Sequence, residues 1–143
     1  MNDEHLWIGP DHNWRRAKEA GVGDLVCPLR TEAHRLPFAE GFFDAVVSID
    51  AYTYFGTDAL YLDYLARFVR TDGEIGIAVP GLAQDIDGDP PPHLTEPQSH
   101  GAPFWEDSCR CFQTAAWWER MWSRTSKVDQ VRALLQPDGW RHW

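Results

Sequence analysis

The sequence predicts an α/β fold: a three-layer αβα sandwich built on a mostly parallel sheet. Two observations carry this expectation. Segments of strand character alternate with segments of helical spacing along the 143 residues, and strands separated by helices pair in parallel through right-handed crossovers. The strongest strand, residues 44–49 (Asp-Ala-Val-Val-Ser-Ile), is nearly continuous in apolar side chains, the pattern of a strand covered on both faces.

The elements follow in chain order. Residues 6–8, Leu-Trp-Ile, form a short apolar run that stops at Gly9 and Pro10. Asp11 is placed to cap a helix, because its carboxylate accepts from the free N–H groups of the next turn. That helix runs to about Ala20, with Trp14 and Ala17 on one face and Gly21 as the C-terminal cap. Residues 25–29 read as a second strand, and 31–42 as a loop carrying Leu36, Pro37 and Phe38. After the strand at 44–49, Thr57 or Asp58 caps a helix to about Arg70. Tyr61, Leu65 and Phe68 recur there at helical spacing, flanked by Leu62 and Val69. Asp72 and Gly73 make a turn, 74–79 a further buried strand, and Pro80 and Gly81 end it. Residues 82–111 form an irregular insertion, whose acidic, proline-rich run from Asp85 to Pro92 belongs on the surface. Thr114 caps a helix to about Arg124. Its stripe of Trp117, Trp118, Met121 and Trp122 suits a core or, on an incomplete sheet, a subunit interface. The last strand is expected at 128–135, before a turn at Pro137, Asp138 and Gly139. The whole, 1–143, is expected to be one partial domain.

Composition narrows the function classes. The formal net charge of −9 argues against nucleic acid and anionic membranes as partners, since both call for a Lys/Arg surface. No apolar run approaches the roughly 20 residues of a membrane span. Nor does the start of the chain pair a basic region with an apolar run, so no secretory signal is read and a cytoplasmic setting is expected. Three cysteines, Cys27, Cys109 and Cys111, are too few for a disulfide scaffold. His93, His100, Cys109 and Cys111 do not space like zinc ligands: Cys-Arg-Cys leaves one residue between thiols where structural sites leave two to four. No metal is expected. Nothing marks an activated thiolate either.

Residues 32–38 (Glu-Ala-His-Arg-Leu-Pro-Phe) and 41–50 (Gly-Phe-Phe-Asp-Ala-Val-Val-Ser-Ile-Asp) come in an ordered series. Tyr52, Thr53, Tyr54 and Phe55, the helix at 61–70 and the turn and strand at 72–81 continue it. This series resembles the middle of class I, S-adenosylmethionine-dependent methyltransferases of the methyltransferase type 11 kind. The likeness is strong over 6–81 and looser over 112–140. It implies a partial Rossmann-like methyltransferase fold. By the same resemblance, Glu32 and Ala33 meet the adenine, the acid accepting from its amino group and the small residue letting the ring approach. Asp50, Ala51, Tyr52 and Tyr54, at the end of the family's fourth strand, line the reaction site. Cofactor contacts are thus expected at Glu32, Ala33, Asp50 and Ala51, and catalytic roles at Asp50 and Tyr54. Asp50 would be a general base if burial raised its pKa; otherwise it caps the strand end.

The family's glycine-rich loop follows its first strand and would precede Leu6. Its ribose-binding acid would stand at His5, beside Asp3 and Glu4. A seventh strand would follow Trp140. The resemblance therefore implies a sheet without its first and seventh strands. The expected function is a methyltransferase-like protein that needs a partner, a second copy or a heteromeric chain, to supply strand and loop. S-adenosylmethionine is then bound weakly or not at all by the chain alone. The alternative is a non-catalytic binding or regulatory module, or an inactive remnant, derived from a methyltransferase. A small-molecule acceptor is expected, but variable insertions build its pocket, so its identity is not written in the fold.

Overall fold

The computed structural model describes residues 10–99 and 101–141. The strand expected at 6–8 lies outside the described residues, as do Asp3, Glu4, His5 and His100. The chain forms two compact units, Met1–Pro37 and Phe38–Trp143.

In the first unit, helix α1 (Pro10–Glu19) begins two residues earlier than a cap at Asp11 implies. Proline suits a first helical position, where its missing N–H forfeits no helical bond. Asp11 is not the cap but lies in the first turn, where the helix dipole favours a carboxylate. At the other end the Gly21 N–H donates to the Lys18 carbonyl (3.0 Å) and the Val22 N–H to the Ala17 carbonyl (2.9 Å). Gly21 takes φ +71°, so this is a Schellman closure with the expected glycine in the left-handed position. The strand expected at 25–29 is absent: residues 23–25 turn, and 26–32 are irregular. Leu25, Val26 and Leu29 are exposed. An apolar run becomes a strand only with a neighbour to take its backbone N–H and C=O groups, and among the described residues none pairs here.

The second unit holds a parallel pair of strands, β1 (Phe43–Ile49) and β2 (Val69–Ala78), joined across helix α2 (Tyr61–Ala66). This is the strand–helix–strand crossover expected of an α/β fold. Register runs from Ala45 opposite Glu74 to Ile49 opposite Ala78. A bulge separates these pairs from Phe43 opposite Val69, and it holds the expected Asp72–Gly73 turn inside β2 rather than ahead of it. Asp72 has φ +65°. A Cβ on Gly73 would stand 2.7 Å from the Asp44 carbonyl, so the close approach demands glycine. Arg70 Nε meets Asp44 Oδ1 at 2.7 Å beside the same bulge.

Helix α2 is shorter than the expected helix from a cap at Thr57 or Asp58 to about Arg70. Neither Thr57 nor Asp58 is its N-cap; that position is Leu60, with no side-chain bond. Asp58 Oδ1 instead accepts from the Leu60 N–H at 2.8 Å, holding the turn that leads in. Tyr61, Leu62 and Leu65 of α2, with Phe68 after it, are buried, as their spacing predicted.

The two sheet faces differ. Val46, Ser48, Ile75 and Ile77 are half-buried. On the other face Val47 and Ile49 are each 71% exposed, and Ala45, Gly76 and Ala78 are exposed too. The expectation that β1 is covered on both faces is therefore corrected: one face alone is packed.

Beyond β2, residues 82–111 are mainly irregular. They include the short helix α3 (Pro92–Thr95), a 3₁₀ turn at Asp107–Cys111 and a bridge between Pro97 and Pro103. Helix α4 (Ala115–Trp122) starts at the expected cap: the Trp117 N–H donates to Thr114 Oγ1 at 3.1 Å. The strand expected at 128–135 is not formed. Leu134 and Leu135 are exposed, and the same lack of a pairing strand accounts for it. Among the described residues no helix is long and apolar enough to cross a membrane.

Candidate functional site

The site residues fall in both units. Glu32 and Ala33 belong to the first, in a turn closed by the Arg35 N–H on the Glu32 carbonyl (2.9 Å). Glu32 Oε1 accepts from the His34 backbone N–H at 3.2 Å and lies 3.1 Å from His34 Nδ1. The acid expected at the adenine is thus exposed and engaged with its own neighbour. Ala33 is half-buried.

Asp50, Ala51 and Tyr54 belong to the second unit, where β1 ends. Asp50 takes φ +60°, a left-handed conformation that aspartate tolerates better than most residues. Its N–H donates to the Ala78 carbonyl at 2.8 Å, the final bond of the parallel pair. The chain then leaves the sheet into a 3₁₀ turn, Tyr52–Tyr54. Asp50 is exposed, so the burial that the general-base role requires is missing in this chain. Tyr54 is 69% exposed, open to whatever approaches the strand end.

Tyr52 behaves differently from its neighbours. It was expected to line the reaction site, but its side chain is 0% exposed and forms the centre of the core. Its ring stands 5.7 Å from both Tyr61 and Trp118, 5.6 Å from Phe55 and 6.0 Å from Trp122, in edge-to-face geometry. Burial pushes the Tyr52 phenol well above its ordinary value; the Trp122 indole pulls the other way, and Tyr61 adds a smaller rise. Thr53 is buried beside it. The contact with Trp118 was missed because its signal is split between distant stretches: a Tyr-Thr-Tyr motif after one strand and a tryptophan stripe on a later helix.

Among the described residues no three His, Cys, Asp or Glu side chains gather as metal ligands. Glycines in the left-handed region are Gly21, Gly41, Gly88 and Gly101, none of which follows a strand.

A parallel strand–helix–strand unit is consistent with part of a Rossmann-like αβα fold. The family described as "Methyltransferase domain" matches residues 10–77, from the start of α1 almost to the end of β2, a match that supports a class I, S-adenosylmethionine-dependent methyltransferase-like domain over this stretch. No curated protein matches the chain. Domains of this family use S-adenosylmethionine as methyl donor. The described residues hold no glycine-rich loop behind a strand to take the methionine portion of that molecule, so no transfer step is assigned to them.

Proposed function

We propose that this methyltransferase-like chain acts with a partner, another copy or a different polypeptide, whose strand and loop complete the cofactor site. The observation that carries the reading is the sheet: two strands, with one apolar face uncovered and no further pairing among the described residues. Unpaired edges invite strands. In this reading Glu32 and Ala33 contact the adenine, Asp50 and Ala51 approach the cofactor, and Asp50 and Tyr54 face a small-molecule acceptor.

Calorimetric titration of S-adenosylmethionine into the chain alone tests it. Weak or undetectable binding is expected; micromolar binding, about −8 kcal/mol, overturns the need for a partner. Where a partner restores binding, Glu32→Ala is expected to weaken it by about 1–3 kcal/mol, the range for a lost buried polar contact.

A second reading, a non-catalytic module, draws support from one observation: the Glu32 carboxylate is engaged by His34. Under that reading Glu32→Ala leaves every binding measurement unchanged.

A further inference from the structure

The strand-end turn has little to hold it locally. Asp50 is left-handed. The 3₁₀ turn that follows has no side-chain cap at Ala51. Two of its backbone bonds are long, Tyr54 N–H to the Ala51 carbonyl (3.2 Å) and Phe55 N–H to the Tyr52 carbonyl (3.3 Å). Such short 3₁₀ pieces do not persist by propensity.

What does hold the turn is one side chain. Tyr52 and Thr53 are the largest fully buried side chains described. The Tyr52 ring sits among Phe55, Tyr61 of α2 and Trp118 and Trp122 of α4. The Trp122 indole acts on its hydroxyl without a hydrogen bond of good geometry, so the hold comes chiefly from the ring. Gly56 closes the turn, its N–H 2.7 Å from the Tyr52 carbonyl. A Cβ there would lie 1.9 Å from the Tyr52 ring.

Helix α4 is itself anchored at its start. Thr114 Oγ1 caps it and donates to Asp85 Oδ1 at 2.7 Å. Arg120 Nη2 lies 3.7 Å from Asp85 Oδ2, and the Leu82 N–H donates to the Gln113 carbonyl at 3.2 Å. The clamp on Tyr52 therefore comes from a fixed helix, and that helix lies outside the family-matched residues 10–77.

We infer that Tyr52 is a positioning residue: its ring, clamped by Tyr61 and by Trp118 and Trp122 of α4, sets the turn that presents Asp50 and Tyr54. Helix α4 thus organises, from beyond the matched stretch, a strand end that lies within it. That Asp50 and Tyr54 meet a substrate rests on the function proposed above; the positioning does not.

Site-resolved amide hydrogen exchange on the full chain tests this, and needs neither cofactor nor partner. Tyr52→Leu and Trp118→Leu are expected to speed exchange at the Tyr54, Phe55 and Gly56 amides by roughly tenfold or more, while Val46 and Ser48 in β1 change little, the mark of a local opening. Tyr52→Phe is expected to match the parent chain, because the ring is kept. Should Trp118→Leu fail to fold, Thr114→Val, which removes the cap and the bond to Asp85 but keeps the side chain's volume, gives the same pattern at smaller size. Unchanged exchange at 54–56, an equal rise through both strands, or Tyr52→Phe behaving like Tyr52→Leu each overturn the inference. A failed titration of S-adenosylmethionine leaves it standing.

Discussion

Tyr52 gives two expectations that single substitutions check. Its phenol stays protonated in the fold beyond the ordinary value of 10.0. Above that pH the unfolded chain releases a proton that the folded chain keeps. The unfolded state then binds fewer protons, so stability falls as pH rises, by up to about 1.4 kcal/mol per pH unit for one group. Below pH 10 the effect is absent. Urea unfolding at pH 8 and pH 11 is expected to show a smaller loss in Tyr52→Phe than in the parent, with the difference isolating this tyrosine from other alkaline titrations. Equal losses would place the phenol in contact with water. The second expectation concerns Gly56. A methyl group there meets the Tyr52 ring, so Gly56→Ala is expected to destabilise the fold by about 1–3 kcal/mol, as overpacking of a close-packed core does. Gly76 is the control: a Cβ there meets nothing within 4 Å, and Gly76→Ala is expected to leave the urea midpoint within experimental scatter.

Among the elements, α4 offers the cleanest case of a local rule. Thr114 supplies the oxygen that the Trp117 N–H requires, and losing a threonine cap costs about 1 kcal/mol. Thr114→Ala also leaves Asp85 without its 2.7 Å donor, so urea unfolding is expected to register at least that loss. The same contrast between local and distant causes explains what was legible in the sequence. The C-terminal end of α1, the cap of α4 and the apolar run of β1 depend on residues within a turn or two, and all three were readable. The strand runs at 25–29 and 128–135 look similar in composition, but a strand is a relation between two segments, and neither finds a neighbour among the described residues. The bulge at Asp72 and Gly73 was readable as a turn, but not as one enclosed in β2, because only pairing with Phe43 and Ala45 puts Val69 in the ladder. At the candidate site, motif order marked out Asp50, Ala51 and Tyr54. The burial of Tyr52 was hidden, because it is produced by Trp118 on a helix far along the chain.

For the whole molecule, the uncovered sheet face and the net charge act in opposite directions. Val47 and Ile49 present apolar surface on a strand with one edge unpaired among the described residues, and no charged residue interrupts β1 between Asp44 and Asp50. Natural edge strands are usually protected by such charges or by proline. A charge of −9 makes copies repel one another, a repulsion that salt screens over about 10 Å at 0.1 M. If the proposed partner is a second copy pairing along β1, association is expected to strengthen as salt is added, because apolar contact and backbone pairing remain while repulsion fades. A basic partner would show the opposite trend, its binding weakening with salt. Sedimentation at micromolar concentration and two salt levels separates these cases. Val47→Lys, at an exposed position where no packing is lost, is expected to return a self-associating chain to a single species near 16.4 kDa. If the parent is already that species at both salt levels, the edge of β1 does not recruit a second copy, and the search for a partner turns to another polypeptide.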